Sequence, residues 1–119
     1  MEVLLDTNFI VYALTKRISL DSINELFEER VAILTVPGVK AELMRMAAKN
    51  SKEGIMAKVA LDLNIPIVES RGSYADTQLL NYIYENERSI VATNDYKLIQ
   101  KLKKAGKRVV TIKKDRISL

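Results

Sequence analysis

The 119-residue chain contains no cysteine, no histidine and no tryptophan. Without cysteine it has no disulfide framework, no thiolate nucleophile and no Cys-rich zinc site. Without histidine it has no imidazole-based catalytic triad, no His-ligated zinc and no 2-His-1-carboxylate iron centre. Acid-base and metal chemistry is left to Asp, Glu, Lys and Tyr, and an all-oxygen donor set suits hard ions such as Mg²⁺, Mn²⁺ or Ca²⁺. Glycine and proline are scarce, at four and two residues, which argues against a low-complexity or disordered chain. Apolar runs such as residues 90–92 and 109–112 fall far short of the roughly 20 residues a membrane helix requires. Asp6 interrupts any secretory pattern at the N-terminus. The expectation is a cytoplasmic protein with no membrane association.

What remains is 48% hydrophobic and 29% charged, the balance of a folded domain, and the length predicts a single domain over residues 1–119. The net charge of +4 conceals an asymmetry. Residues 97–119 hold nine of the 19 basic side chains and one of the 15 acidic ones, leaving ten basic and 14 acidic in residues 1–96. A basic end beside an acidic body suits contact with a phosphate backbone, and equally a solvated lysine-rich helix followed by an exposed tail.

The apolar pattern alternates between short runs and helical periodicity. Residues 3–5 read as a first strand, followed after Asp6-Thr7-Asn8 by a helix. A helix is expected over 19–29 and a second strand over 31–36. Pro37 then opens a helix through Val39, Leu43 and Met46. A further helix over 52–63 places Ile55, Val59 and Leu63 on one face, and residues 65–68 read as a third strand. Helices over 74–85 and 96–104 alternate with strands over 89–92 and 108–112, the last helix closed by Gly106. There are no repeats or linkers. Short apolar strands alternating with helices predict an α/β fold, a three-layer α/β/α sandwich on a parallel sheet. In such sheets ligands gather at the carboxyl ends of the strands.

Four acids fall near those ends. Asp6 follows the first strand, Asp95 lies just beyond the fourth, Asp76 is in the first turn of the helix over 74–85, and Glu42 sits toward the buried face of its helix. Each has an ordinary structural role open to it. Asp6 and Asp95 suit helix N-caps, Ser73-Tyr74-Ala75-Asp76 matches a Ser-x-x-acidic capping box, and Glu42 has Arg45 nearby. Taken together they would converge and repel, an arrangement a divalent cation would neutralise. The acids are 36, 34 and 19 positions apart, so convergence depends on the fold rather than on a local motif.

Residues 3–8 (Val-Leu-Leu-Asp-Thr-Asn), 36–43 (Val-Pro-Gly-Val-Lys-Ala-Glu-Leu), 74–80 (Tyr-Ala-Asp-Thr-Gln-Leu-Leu) and 91–95 (Val-Ala-Thr-Asn-Asp) resemble, in order and spacing, the PIN-domain ribonucleases. The likeness spans essentially the whole chain. Residues 57–61 and 109–114 look most like the compact archaeal branch related to ribosomal-RNA-processing proteins, and the toxin branch paired with antitoxins is similar too. The resemblance implies a five-stranded parallel sheet in the order 3-2-1-4-5 and a Mg²⁺ or Mn²⁺ cleft lined by Asp6, Glu42, Asp76 and Asp95. Asp6, Asp76 and Asp95 would act as metal ligands, with Thr7, Asn8 and Thr93 in support. It also implies a homodimer, with an antitoxin or ribosome-assembly partner. Thr77 departs from the pattern, because many relatives place another acid after the one at Asp76.

The activity expected is metal-dependent hydrolysis of single-stranded RNA. Lys97, Lys101 and Lys104, at i, i+4 and i+7 on one helical face, are candidates for steering phosphate. Tyr12, Tyr74 and Tyr96 are candidates for base stacking. A haloacid-dehalogenase-type phosphatase would carry an acid where Asn8 stands, and a receiver domain an acidic pair near the first strand and an Asp ending the third. The alternative from another class is a non-catalytic RNA-binding or assembly module.

Overall fold

The computed structural model describes residues 1–119. Its elements are β1 (Glu2–Leu5), α1 (Thr7–Thr15), a 3₁₀ helix (Leu20–Leu26), β2 (Ala32–Leu34), α2 (Pro37–Ala47), α3 (Lys52–Asp62), α4 (Ala75–Glu85), β3 (Ser89–Ala92), α5 (Tyr96–Lys104), β4 (Val109–Lys113) and β5 (Arg116–Ser118). Helices cover both sides of one sheet in the order β2-β1-β3-β4-β5. β1 lies between β2 and β3, parallel to both, with Glu2 opposite Ser89 and Leu5 opposite Ala92. Being covered on both faces, β1 and β3 read as unbroken apolar runs, and Val3, Leu4, Leu5, Val91 and Ala92 are fully buried. No helix is long and apolar enough to cross a membrane.

The expected strand order is found, with two differences. The segment over 65–68 forms a single bridge, Ile67 to Thr35, beside β2 rather than a full strand. Pro66 accepts from the Thr35 amide but has no N–H to return, which shortens the ladder. The tail after β4 folds back as β5, which is antiparallel, so the sheet is not wholly parallel. The helix expected over 19–29 is a 3₁₀ helix. There the Ser22 hydroxyl and Asn24 amide donate to the carbonyls of Ser19 and Asp21, in competition with the α-helical pattern. On α3 the stripe Ile55, Val59 and Leu63 faces outward, and the buried residues are Gly54, Ala57 and Ala60. Small residues on that face let α3 pack closely on α1 and α2.

α2 and α4 meet at Gly38. Its N–H donates to Gln78 Oε1 at 2.7 Å, and Gln78 Nε2 donates to the Gly72 carbonyl at 2.9 Å. A Cβ built on Gly38 would lie 2.7 Å from the Ala75 nitrogen and 2.8 Å from its Cα. This close approach fixes where Asp76 begins its helix relative to Glu42. At the opposite rim of the sheet, Glu29 pairs with both the Met1 ammonium and Arg88.

Candidate functional site

The carboxyl ends of β1 and β3 are held in register beyond the strands themselves. The Asp6 N–H donates to the Ala92 carbonyl at 2.9 Å, and the Thr93 N–H donates to the Val110 carbonyl at 2.9 Å. Asp6 is the N-cap of α1 and is only 7% exposed. Its Oδ1 accepts from the Thr7 N–H at 2.8 Å. Its Oδ2 accepts from the Thr93 hydroxyl at 2.7 Å and from Asn8 Nδ2 at 3.3 Å.

Thr93, fully buried, also accepts from the Asp95 N–H at 3.1 Å, so one hydroxyl joins the two acids. Asp95 caps α5, its Oδ1 accepting from the N–H groups of Lys97 and Leu98. Half-buried Glu42 is tied to α1 through Oε2, which accepts from the Thr7 hydroxyl at 2.6 Å. Asp76 is exposed, and its Oδ1 accepts from the Thr77 N–H at 2.9 Å. The capping box expected from Ser73 does not form. Tyr74 occupies the N-cap position of α4 without a side-chain cap.

All four acids line one open cavity of about 620 Å³. Of the expected supporting residues, Thr7 and Asn8 line it too, while Thr93 lies buried behind Asp6. Asp6, Asp76 and Asp95 surround the cavity without being drawn together. No three carboxylates stand close enough to ligate a single ion in this arrangement. Burial pushes the Asp6 carboxyl above its ordinary 3.8. The Thr93 and Thr7 hydrogen bonds pull the other way, and the nearby charges of Glu42 and Asp95 push it further up.

A buried, destabilised carboxylate facing a cavity rimmed by further carboxylate oxygens fits a hard divalent cation, which would relieve that charge. Glu42, Asp76 and Asp95 each keep one oxygen free of protein partners.

Of the three tyrosines considered for stacking, Tyr12 lines the cavity, with Lys16 Nζ 5.8 Å from its ring centre. Tyr74 and Tyr96 are largely exposed and lie outside its lining. Lys97, Lys101 and Lys104 are exposed along α5, opposite its buried Leu98 and Leu102. Sequence reasoning missed the far end of the cavity, formed by Met46, Lys52 and Glu53. The turn between α2 and α3 brings these residues there, and no local spacing signals it.

The Thr93 bridge yields a direct prediction. Thr93→Val keeps the shape and removes the hydroxyl, leaving Asp6 Oδ2 and the Asp95 N–H without that partner. The loss should be about 2 kcal/mol of unfolding free energy, as for hydrogen bonds to charged groups. Thr93→Ser should retain most of the stability. Urea unfolding of both variants checks this, and a Val variant as stable as wild type would refute the bridge's contribution.

A family model described as "PIN like domain" matches residues 3–115. Ribonuclease VapC4 of Methanocaldococcus jannaschii is 36% identical over 104 residues, covering 82% of this chain and 79% of that protein. The rRNA-processing protein FCF1 of Saccharomyces cerevisiae is 31% identical over 106 residues, covering 87% of this chain; the match spans 54% of FCF1, about half its length. Among solved structures, the PIN domain endonuclease Utp24 superposes with a TM-score of 0.80 at 25% identity, over 98% of this chain and 88% of that one. VapBC2 from Rickettsia felis superposes at 0.56 with 20% identity, over 93% and 98% of the two chains, a likeness of fold.

Proposed function

The chain belongs to the PIN-like domain family, and from that premise we propose that it is a divalent-metal-dependent endoribonuclease acting on single-stranded RNA. The observation that carries this reading is the convergence of Asp6, Glu42, Asp76 and Asp95, from four separate segments, on one cavity at the carboxyl ends of β1 and β3.

In this reading Asp6, Asp76 and Asp95 would hold Mg²⁺ or Mn²⁺ directly or through water, since no three carboxylates stand close enough to ligate one ion together. The cation, when bound, supplies a lowered pKa for water and neutralises charge on the phosphate. Glu42 is held by Thr7 at one oxygen, and its other oxygen accepts a proton from the attacking water. Asp95 keeps its place because two backbone N–H groups fix its Oδ1, leaving Oδ2 for the site. Thr93, Asn8 and Thr7 hold Asp6 in a single orientation. Lys97, Lys101 and Lys104 offer positive charge outside the acidic cleft, which by itself repels RNA.

FCF1 supports a role in processing ribosomal RNA, Utp24 supports endonuclease activity, and the 36% identity to the ribonuclease VapC4 supports cleavage of RNA, with a toxin paired with an antitoxin as the second role proposed. In this reading residues 1–119 act as one PIN domain, in the cytoplasm. The outward stripe Ile55, Val59 and Leu63 on α3 offers apolar surface for a homodimer.

The deciding experiment is cleavage of labelled single-stranded RNA with Mn²⁺, Mg²⁺ or EDTA, beside Asp95→Asn. Asparagine is as good an N-cap as aspartate, so α5 is kept while the site's charge is lost. Metal-dependent cutting that falls at least a hundredfold in the variant is the expected result. RNA binding without cutting, with every ion, would instead establish the non-catalytic RNA-binding module.

A further inference from the structure

β4 turns into β5 through Lys114 and Asp115 alone, and the local choices around this turn work against the hairpin's own stability. Both central residues are left-handed, with φ of 51° and 59°. A two-residue turn of that kind favours Asn-Gly or Gly-Gly, and lysine suits it poorly. The residues flanking the turn, Lys113 and Arg116, are register partners, so two positive charges stand directly opposite each other across the strands. Neither they nor Lys114 forms an ion pair, although Asp115 lies in the turn itself and Glu25 lines the same surface pocket as Arg116. The chain's ion pairs join Glu29 to the Met1 ammonium and to Arg88, and Arg71 to Glu85. Local choices that oppose stability without an ion pair to offset them point to a segment shaped by something outside the fold.

The hairpin's position indicates what that is. β4 runs parallel to β3, so Lys113 emerges at the rim of the sheet that carries Asp6 and Asp95. Asn94 fastens it there. Its Nδ2 donates to the Ile112 carbonyl at 2.9 Å, its Oδ1 accepts from the Ile112 N–H at 2.9 Å, and its own N–H donates to Asn8 Oδ1 at 3.0 Å. The residue between Thr93 and Asp95 thus ties the root of the hairpin to the wall of the cleft.

We infer that Lys113, Lys114 and Arg116 form a docking arm for the phosphate backbone of RNA, gripping the strand beside the cleft rather than within it. This rests on the ribonuclease reading. A polyanion gains nothing from the carboxylates lining the cavity and must find its favourable charge at the rim. The Arg116 guanidinium there matches phosphate oxygens in a forked contact.

The test combines Lys114→Asn with Arg116→Gln. Asparagine tolerates positive φ and glutamine ends the like-charge pair, so the variant should melt at or above the wild-type temperature, by about 2 °C. Binding of labelled single-stranded RNA is read by fluorescence anisotropy in EDTA, across a salt series. Affinity should fall about tenfold, and the slope of log affinity against log salt should shrink by about 1.4, or 0.7 for each phosphate no longer neutralised. Unchanged affinity and slope would overturn the inference, as would loss of binding to phosphatidylglycerol vesicles with RNA affinity intact. If the double variant unfolds, Lys114→Gly alone, which suits the turn, gives the same readout at half the slope change. Wild-type protein that cuts RNA while the hairpin variant binds it unchanged refutes the arm alone. Wild-type protein that never cuts, with binding abolished in the variant, refutes the nuclease and keeps the arm.

Discussion

Asp6→Asn is expected to lower RNA cleavage by about a thousandfold while leaving the metal-free protein at least as stable as wild type at neutral pH. The two halves of this result have one cause. Asp6 is the acid most removed from water, and its charge faces those of Glu42 and Asp95. Asparagine keeps the acceptor for the Thr7 N–H, and the Thr93 hydroxyl can turn to accept the new amide N–H, so the two short hydrogen bonds survive, the 3.3 Å one from Asn8 Nδ2 is lost and the charge disappears.

Because the folded protein holds the Asp6 proton more tightly than the unfolded chain, whose value is near 3.8, folding binds a proton between the two values. The unfolding free energy therefore declines as pH rises from the unfolded value through the folded one, and the penalty is fully present above that. In EDTA, the melting temperature of Asp6→Asn relative to wild type should rise with pH across this window and then level off. Calorimetry from acid to neutral pH measures it. A variant that still cuts RNA, or that is less stable than wild type in EDTA at neutral pH, would contradict the role given to Asp6.

Gly38→Ala should be a damaging single-methyl change, the one that bears directly on the cleft. The added carbon would meet the backbone nitrogen and Cα of Ala75 at under 3 Å, and trimming a side chain cannot relieve a contact with backbone. α2 and α4 must part, breaking the 2.7 Å bond from the Gly38 N–H to Gln78. The expected cost is about 3 kcal/mol, at the upper end for overpacking, or a melting temperature lower by about 10 °C. Because Asp76 directly follows Ala75, cleavage at temperatures where the variant remains folded should also drop, with kcat more affected than binding. Thermal unfolding within about 1 °C of wild type together with unaltered kcat would show that the close approach is not needed.

The strands could be read from the chain because burial on both faces makes β1 and β3 uninterrupted apolar runs. Their ends were marked by Asp6 and by Thr93-Asn94-Asp95. The same periodicity placed Glu42 on the side of α2 that meets Thr7. What escaped the sequence depended on contacts distant in the chain or on single donors. β5 is three residues in a charged tail, visible only once Arg116 is paired with Lys113. The segment at Ile67 lost its strand character to one missing N–H, at Pro66. Ser73 lies one residue too early to cap α4, a shift that residue preferences do not resolve. Lys52 and Glu53 reach the cavity through the packing of α3, which no pattern of residue types reveals.

The placement of β1 between β2 and β3 also governs when the site comes into being. The Thr93 hydroxyl reaches Asp6 across 87 positions of sequence, and Glu2 pairs with Ser89 over the same stretch. Contacts of such separation must bear the entropy of closing a long loop before they return any stability, so they form late. A chain emerging from the ribosome can join β1 to β2 early, but Asp6 meets Asp95 only after β3 and the residues following it have been made. Nascent chains and chains ended before β3 therefore lack the assembled cleft, and the order of synthesis itself withholds the site until that strand is in place.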